Sequence, residues 1–275
     1  MIAYFDTQTF DHIYKKIGCT GADIANLRKA IYGRQLSVRL SIHTLEEILL
    51  GRKVSPQALA AQIKLTLSVA SSRILVKSCS TLLLDDIRAY SDTGQPQRPF
   101  LSGDTQNAVA EGISTLIETD GEEMEEEFLA VLDQTRQEKQ QFFAIIEQTR
   151  RIADKISKPA GESMSFEQYL DAASLPALQA LAERAGTDNH CGERDLRRLL
   201  KMKSVRMSIG AALAPSFDEL ASDAVSSGAL HHAVAAVAVA QTYVTESAAI
   251  RQFLSRIPVE GLDVISLTEF LKQLG

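Results

Sequence analysis

Two carboxylates and a pair of adjacent histidines are the side chains here whose types and placement could do chemistry. Asp6 closes the short apolar run Ile2 to Phe5 in MIAYFDTQTF, and Glu47 stands in HTLEEILLG, directly after the apolar run Leu36 to Ile42. An acid that ends a strand-like run can turn the chain, cap the next helix or bind a cation. Two such carboxylates on one rim suit a hard divalent ion, Mg2+ or Mn2+, which prefers oxygen ligands, activates a water and offsets charge developing on a phosphodiester. His231 and His232 open an Ala- and Val-rich stretch. They suit phosphate contact, proton transfer or a purely structural place at a sheet rim. Glu47 has a second explanation, because Thr44 and Glu47 stand in the S/T-x-x-E spacing of a capping box. His12, His43 and His190 have no metal-ligand spacing.

The elements that must position these groups follow from periodicity and punctuation. Residues 2–5 read as a strand, 11–17 and 22–31 as helices, and 36–42 as a second strand running straight into a helix. Residues 58–71 are apolar at helical intervals, RILVKS reads as a further buried strand and LLLDDIRAYS as a helix. Beyond Pro96 and Pro99 strand character disappears, and one helix follows another from Gly103 to Arg206. The longest is expected over 122–158, with Phe128, Leu132, Phe142, Ile145 and Ile152 on its apolar face and the acids of EEMEEE at its dipole-favoured start. HHAVAAVAVA reads as a buried helix, QTYVTES as a short strand, AAIRQFLSRI as a helix, and LDVISLTEFLKQLG as a last strand and helix. Strands alternating with helices at both ends of the chain predict an α/β fold with a parallel sheet, interrupted by a mainly helical insertion. The boundaries are 1–102, 103–204 and 205–275. Ligand sites in such sheets lie beyond the carboxyl ends of the strands, so Asp6, the segment Thr44 to Glu47 and Thr245-Glu246-Ser247 are expected on one rim.

Composition narrows the function classes. With 29 basic and 35 acidic residues among 275, the net charge is −6, so attraction to a polyanion must come from a local patch. GERDLRRLLKMKSVRM supplies one, with Arg194, Arg197, Arg198, Lys201, Lys203 and Arg206. Such a face gives phosphate contacts without sequence choice, or is simply solvated. Cys19, Cys79 and Cys191 are too scattered for a disulfide framework or zinc site and point to reduced thiols. The longest apolar stretch, Ala233 to Ala240, is too short to span a membrane. These features are those expected of a cytoplasmic protein. No GxxxxGK[ST], GxSxG or GxGxxG motif occurs.

Taken in order, YFDTQTF, HTLEEILLG with Gly51 four residues after Glu47, and HHAVAAVAVAQTYVTES followed by LDVISLTEFLKQL resemble the PIN-like domains. Many members of that family are metal-dependent ribonucleases, including toxins of toxin–antitoxin pairs. The resemblance covers 1–92 and 205–275. It implies a parallel-sheet, three-layer domain and Mg2+ or Mn2+ on Asp6 and Glu47, with those two residues as the catalytic acids. Ser247 falls at a further metal position, where a hydroxyl replaces the family's carboxylate. Thr7, Thr245, Arg197, Arg198 and Lys201 are the residues expected to meet substrate RNA. The family's third acid would fall near Gly228 or Ala229, neither of which can bind a cation, so a replacement would have to fold back from Asp85, Asp86, Asp218 or Asp223. The alternative function is that of a non-catalytic PIN-fold protein that engages a protein partner or RNA through its helical insertion.

Overall fold

The computed structural model describes residues 1–50, 54–71, 74–153, 164–187, 192–217, 230–257 and 259–274. The chain is an α/β protein built on four short strands, β1 (Ile2–Phe5), β2 (Ser37–Arg39), β3 (Thr242–Val244) and β4 (Asp263–Ile265). They form one all-parallel sheet in the order β2-β1-β3-β4. Ala3 pairs with Val38 and Thr242, Tyr4 with Tyr243, and Val244 with Ile265. Side chains alternate across the pleat. Tyr4 and Tyr243 therefore enter one core, while Ala3, Phe5, Val38 and Val244 enter the other.

Helices cover both faces. On the Phe5 face lie α1 (Thr7–Lys15), α2 (Gly21–Tyr32), α3 (Ile42–Leu50), α4 (Pro56–Val69) and the C-terminal α14 (Leu267–Leu274). The Tyr4 face is covered by α5 (Cys79–Thr93), α8 (Phe166–Ala173), α9 (Leu175–Ala185), α10 (Glu193–Arg198), α11 (Lys203–Phe217), α12 (Leu230–Val239) and α13 (Ala248–Leu254). Helix α12 carries HHAVAAVAV and is buried from Leu230 to Val237, as a helix apolar on all sides must be. It leads directly into β3, so its start lies at the carboxyl rim of the sheet.

Two helices of the segment 103–204 tie the layers together. Helix α6 (Gly103–Glu118) packs on α7 (Glu126–Ala153), a rod of 28 residues and about 42 Å. Phe128 and Leu132, near the start of α7, belong to the Phe5-side core, whereas Phe142, Ile145 and Ile146 belong to the Tyr4-side core. Gly112 of α6 makes the close approach at the first end: a Cβ there would lie 2.3 Å from the Phe128 ring.

Several sequence expectations are corrected. RILVKS forms no strand of the sheet. Among the described residues of that run Val76 makes only isolated bridges, parallel to Ser41 just past the end of β2 and antiparallel to Phe100. Helix α1 starts at Thr7, four residues early, because Asp6 caps it, and the long helix starts at Glu126 and ends at Ala153, inside the expected 122–158. The expected capping box at Thr44 and Glu47 is absent: α3 already begins at Ile42, and the buried Thr44 hydroxyl has no hydrogen-bond partner among the described residues. Cys19 and Cys79 are free, and Cys191 and His190 lie outside the described residues. No helix among the described residues is long and apolar enough to cross a membrane.

Candidate metal centre

At the carboxyl rim, β2 runs through Leu40 and Ser41 into α3, which places Glu47 one turn beyond the first and turns it towards the start of α12. Its two oxygens are shared among three elements. Oε1 lies 2.9 Å from His231 Nε2 and 3.2 Å from Lys139 Nζ, the latter from α7. Oε2 lies 3.0 Å from His232 Nε2 and accepts a hydrogen bond of 2.5 Å from the Thr7 hydroxyl. Both imidazoles are buried, at 1% and 3% exposure. Ligating atoms of Glu47, His231 and His232 all fall within 4.8 Å of one another.

The surroundings fix the rings. His232 Nδ1 is 2.7 Å from the Tyr4 hydroxyl, which lies 2.8 Å from Ser41 Oγ, so β1 and the β2–α3 corner orient this imidazole with Nε2 towards Glu47. His43, on α3, accepts a hydrogen bond of 3.0 Å at Nε2 from the Cys79 amide, and its ring stands edge-on to His231 with centroids 4.8 Å apart. Phe143 packs against His231 from α7. Among the described residues neither ring nitrogen of His231 makes a well-aligned hydrogen bond, although Nε2 lies 2.9 Å from Glu47 Oε1, so its approach is out of line. A buried polar group without a partner calls for an explanation.

Charge is balanced by α7. Lys139 bridges Glu47 and the buried Glu46, whose Oε2 it meets at 2.5 Å, and Arg136 reaches Glu46 Oε1 at 3.2 Å. Burial by itself would raise the Glu47 carboxyl, but the charge of His232 first, and then the close polar contacts of both imidazoles, outweigh it and hold the group well below the usual carboxylate range. Burial first, then the charge of His232, pushes His231 down to about 4 against the pull of Glu47. His43 is driven well below the ordinary imidazole value, again by burial first and then by His231, His232 and Lys139. At neutral pH the rim thus presents an ionised carboxylate beside two neutral imidazoles, His231 and His43.

The residues singled out by sequence fall into three places. Glu47 and Thr7 are in the cluster. Asp6, buried behind them, is the N-cap of α1: Oδ1 accepts from the Thr9 amide and hydroxyl, both at 2.8 Å, and Oδ2 from the Tyr243 hydroxyl at 3.3 Å. Thr245 and Ser247 serve the β3–α13 corner, where the Thr245 hydroxyl accepts from the Ser247 amide and the Ser247 hydroxyl caps α13 at Ile250. Glu246 turns the other way, to the Leu267 amide. Asp85 pairs with Lys77, Asp86 accepts from Ser204, and neither joins the cluster as a further carboxylate; Asp218, Asp223, Gly228 and Ala229 lie outside the described residues. Arg197, Arg198 and Lys201 lie on α10 and the 3-10 turn that follows it. Arg197 and Lys201 line a cleft of about 900 Å³ with Lys203, Arg206, Val259 and Glu260, in front of the amino end of β4. Arg197 and Arg198 are there paired with Glu193 and Asp195.

Sequence spacing missed His43 and Lys139 altogether. His43 lies one residue before Thr44 in the same motif that yields Glu47, yet only the fold brings its ring to His231. Lys139 is one of many charges on a long helix, and no local signal distinguishes it. Compared with known proteins, the chain matches no family model, no curated protein and no solved structure. Its function is therefore to be argued from the rim.

Proposed function

We propose that this chain is a PIN-like protein whose carboxyl-rim site holds a divalent ion on Glu47 and hydrolyses phosphodiester bonds of RNA with it. One observation carries the proposal: Glu47, the acid that the PIN-like pattern assigns, converges with His231 and His232 from the segment that the same pattern places before the third strand. The donor set fits a divalent cation, since two buried imidazoles converge on a carboxylate held in its ionised form, and His231 meets it without a well-aligned hydrogen bond. When bound, the ion supplies Lewis acidity towards a phosphate oxygen. The chain's own residues do the rest. Glu47, His231 and His232 would hold the cation, Tyr4 keeps His232 Nε2 turned to Glu47, and Thr7 positions the second carboxylate oxygen. Arg136 and Lys139, which α7 brings beside the cluster, would meet the phosphate, and Glu46 holds both in place beforehand.

A second function is supported by a different observation. Both oxygens of Asp6 are engaged in capping and in the Tyr243 contact, and Lys139 already neutralises Glu47. That arrangement suits a PIN-fold protein that no longer cleaves and instead engages a protein partner through the helices of 103–204. Mn2+ binding and chelator-sensitive cleavage of a labelled single-stranded RNA, measured for the wild type and for Glu47→Gln, separate the two. Cleavage that requires both the ion and Glu47 supports the nuclease; binding and cleavage absent from the wild type leave the scaffold.

A further inference from the structure

The ion that the rim accepts can be narrowed from its donors. Mg2+ demands near-octahedral oxygen coordination and carries several waters, and a PIN-like site would offer it converging carboxylates. Here one carboxylate meets two imidazole nitrogens, while Asp6 is turned into the cap of α1. Imidazole favours zinc, iron, nickel and copper over magnesium. We infer that the Glu47, His231 and His232 centre is a site for a nitrogen-preferring transition ion of the zinc(II) type, and that Lys139 holds the ion's place on Glu47 until it binds. The inference rests on the proposal that the rim binds a divalent ion, and it names the class of that ion.

Geometry supports this assignment. A tetrahedral zinc with bonds near 2.0–2.1 Å sets its donors roughly 3.3 Å apart. Glu47 Oε1 stands 2.9 Å from His231 Nε2 and Oε2 3.0 Å from His232 Nε2, and one ligating atom from each of the three residues falls within 4.8 Å of the other two, so the ion needs a modest adjustment of the side chains. His232 has the outer partner that a ligating histidine requires, the Tyr4 hydroxyl on Nδ1, and that hydroxyl is itself fixed by Ser41. Among the described residues His231 is buried with no well-aligned hydrogen bond at either nitrogen, and an ion between Nε2 and Glu47 Oε1 explains that at Nε2. Three protein donors leave a coordination position open, as zinc sites that act on substrates do. Lys139 is the natural surrogate. Its ammonium touches Glu47 Oε1 at 3.2 Å but is held more closely by Glu46, so an arriving cation can take Glu47 while Lys139 keeps its Glu46 partner.

The test is calorimetric titration of the full chain, stripped of metal by chelator, with Zn2+, Mn2+ and Mg2+ separately. The expected result is one Zn2+ per chain, bound at least about 100-fold more tightly than Mg2+. Glu47→Gln and His231→Ala should each weaken Zn2+ at least about 10-fold, and Lys139→Met should tighten it. Circular dichroism checks that each variant folds. Should the ligand variants not fold, the wild type and Lys139→Met suffice, because a folded site gains thermal stability with rising Zn2+ concentration. Mg2+ binding as tight as Zn2+, at a site that needs Glu47, overturns the ion class but leaves the divalent-ion proposal standing. No ion bound by the wild type overturns both. Zn2+ binding indifferent to Glu47 and His231 overturns the assignment of ligands, and an unchanged affinity in Lys139→Met overturns the surrogate role.

Discussion

Asp6 offers the sharpest separation between a structural acid and a ligand, because the two roles respond oppositely to the same substitutions. In the structure it is buried and accepts from the Thr9 amide, the Thr9 hydroxyl and the Tyr243 hydroxyl. Asp6→Ala removes an N-cap, which costs about 1 kcal/mol. It also leaves the buried Tyr243 hydroxyl without this acceptor, a loss of about 1–3 kcal/mol. The sum is about 2–4 kcal/mol, which for a chain of this size lowers the melting temperature by roughly 5–15 °C. Asp6→Asn keeps an oxygen for Thr9 and an amide that Tyr243 can accept from. It gives up only the negative charge at the start of α1, worth about 0.3–1 kcal/mol. The assay is thermal melting by circular dichroism, paired with ion titration of both variants at neutral pH. A cap predicts a large loss for Ala, a small one for Asn, and an ion affinity in Asp6→Asn within about threefold of the wild type. If Asp6→Asn melts within a degree of the wild type yet loses the ion more than about 10-fold, the reasoning is wrong and Asp6 is a ligand.

Other expectations follow from the same packing. Gly112→Ala should destabilise by about 1–3 kcal/mol despite the better helix propensity of Ala, since its Cβ would overlap the Phe128 ring; urea denaturation reads this, and an unchanged midpoint would contradict the α6–α7 contact. Phe142→Ala should cost about 3–5 kcal/mol, and a chain lacking 103–204 should give no cooperative melt, because α7 fills part of both cores. Burial, opposed by the hydrogen bonds of Ser204 and Gln97, holds the Asp86 carboxyl above its ordinary value. A raised folded-state value means that its stabilising contribution is full below the unfolded pKa of about 3.9 and is lost as pH rises through the folded value. Asp86→Asn should therefore melt higher than the wild type at pH 7, with the advantage fading as pH falls towards about 4; a lower melting temperature at pH 7 would refute this.

How much of this was legible in the sequence depends on the range of the forces involved. β1, β3 and β4 follow from short apolar runs bounded by polar residues, and α12 from an apolar decapeptide, all of which are local signals. Glu47 stands out as a candidate, but the capping-box explanation for it fails because α3 starts at Ile42, three residues before the Leu45 start that a Thr44 cap implies. Asp6 was found too, with three roles open, and the fold selects the cap through the position of Thr9 and Tyr243. RILVKS misleads because β-propensity depends on context, and its Val76 finds only isolated bridges rather than a ladder.

What lies beyond local reach is the part of the site that α7 brings. Lys139 and Arg136 are 92 and 90 residues from their glutamates, and no periodicity in either segment encodes their meeting. The geometry arises because α7 is long enough to cross from the Phe5-side core, anchored by Phe128 and Leu132, to the Tyr4-side core, anchored by Phe142 and Ile145. Between those anchors it must pass over the carboxyl rim, and the residues that face the rim are necessarily those between Leu132 and Phe142. Arg136 and Lys139 lie in that interval at i, i+3 spacing, on one face of the helix. The charge that balances Glu46 and Glu47 is thus a consequence of how α7 is pinned at its two ends, and repacking either end should move both cations off the site together.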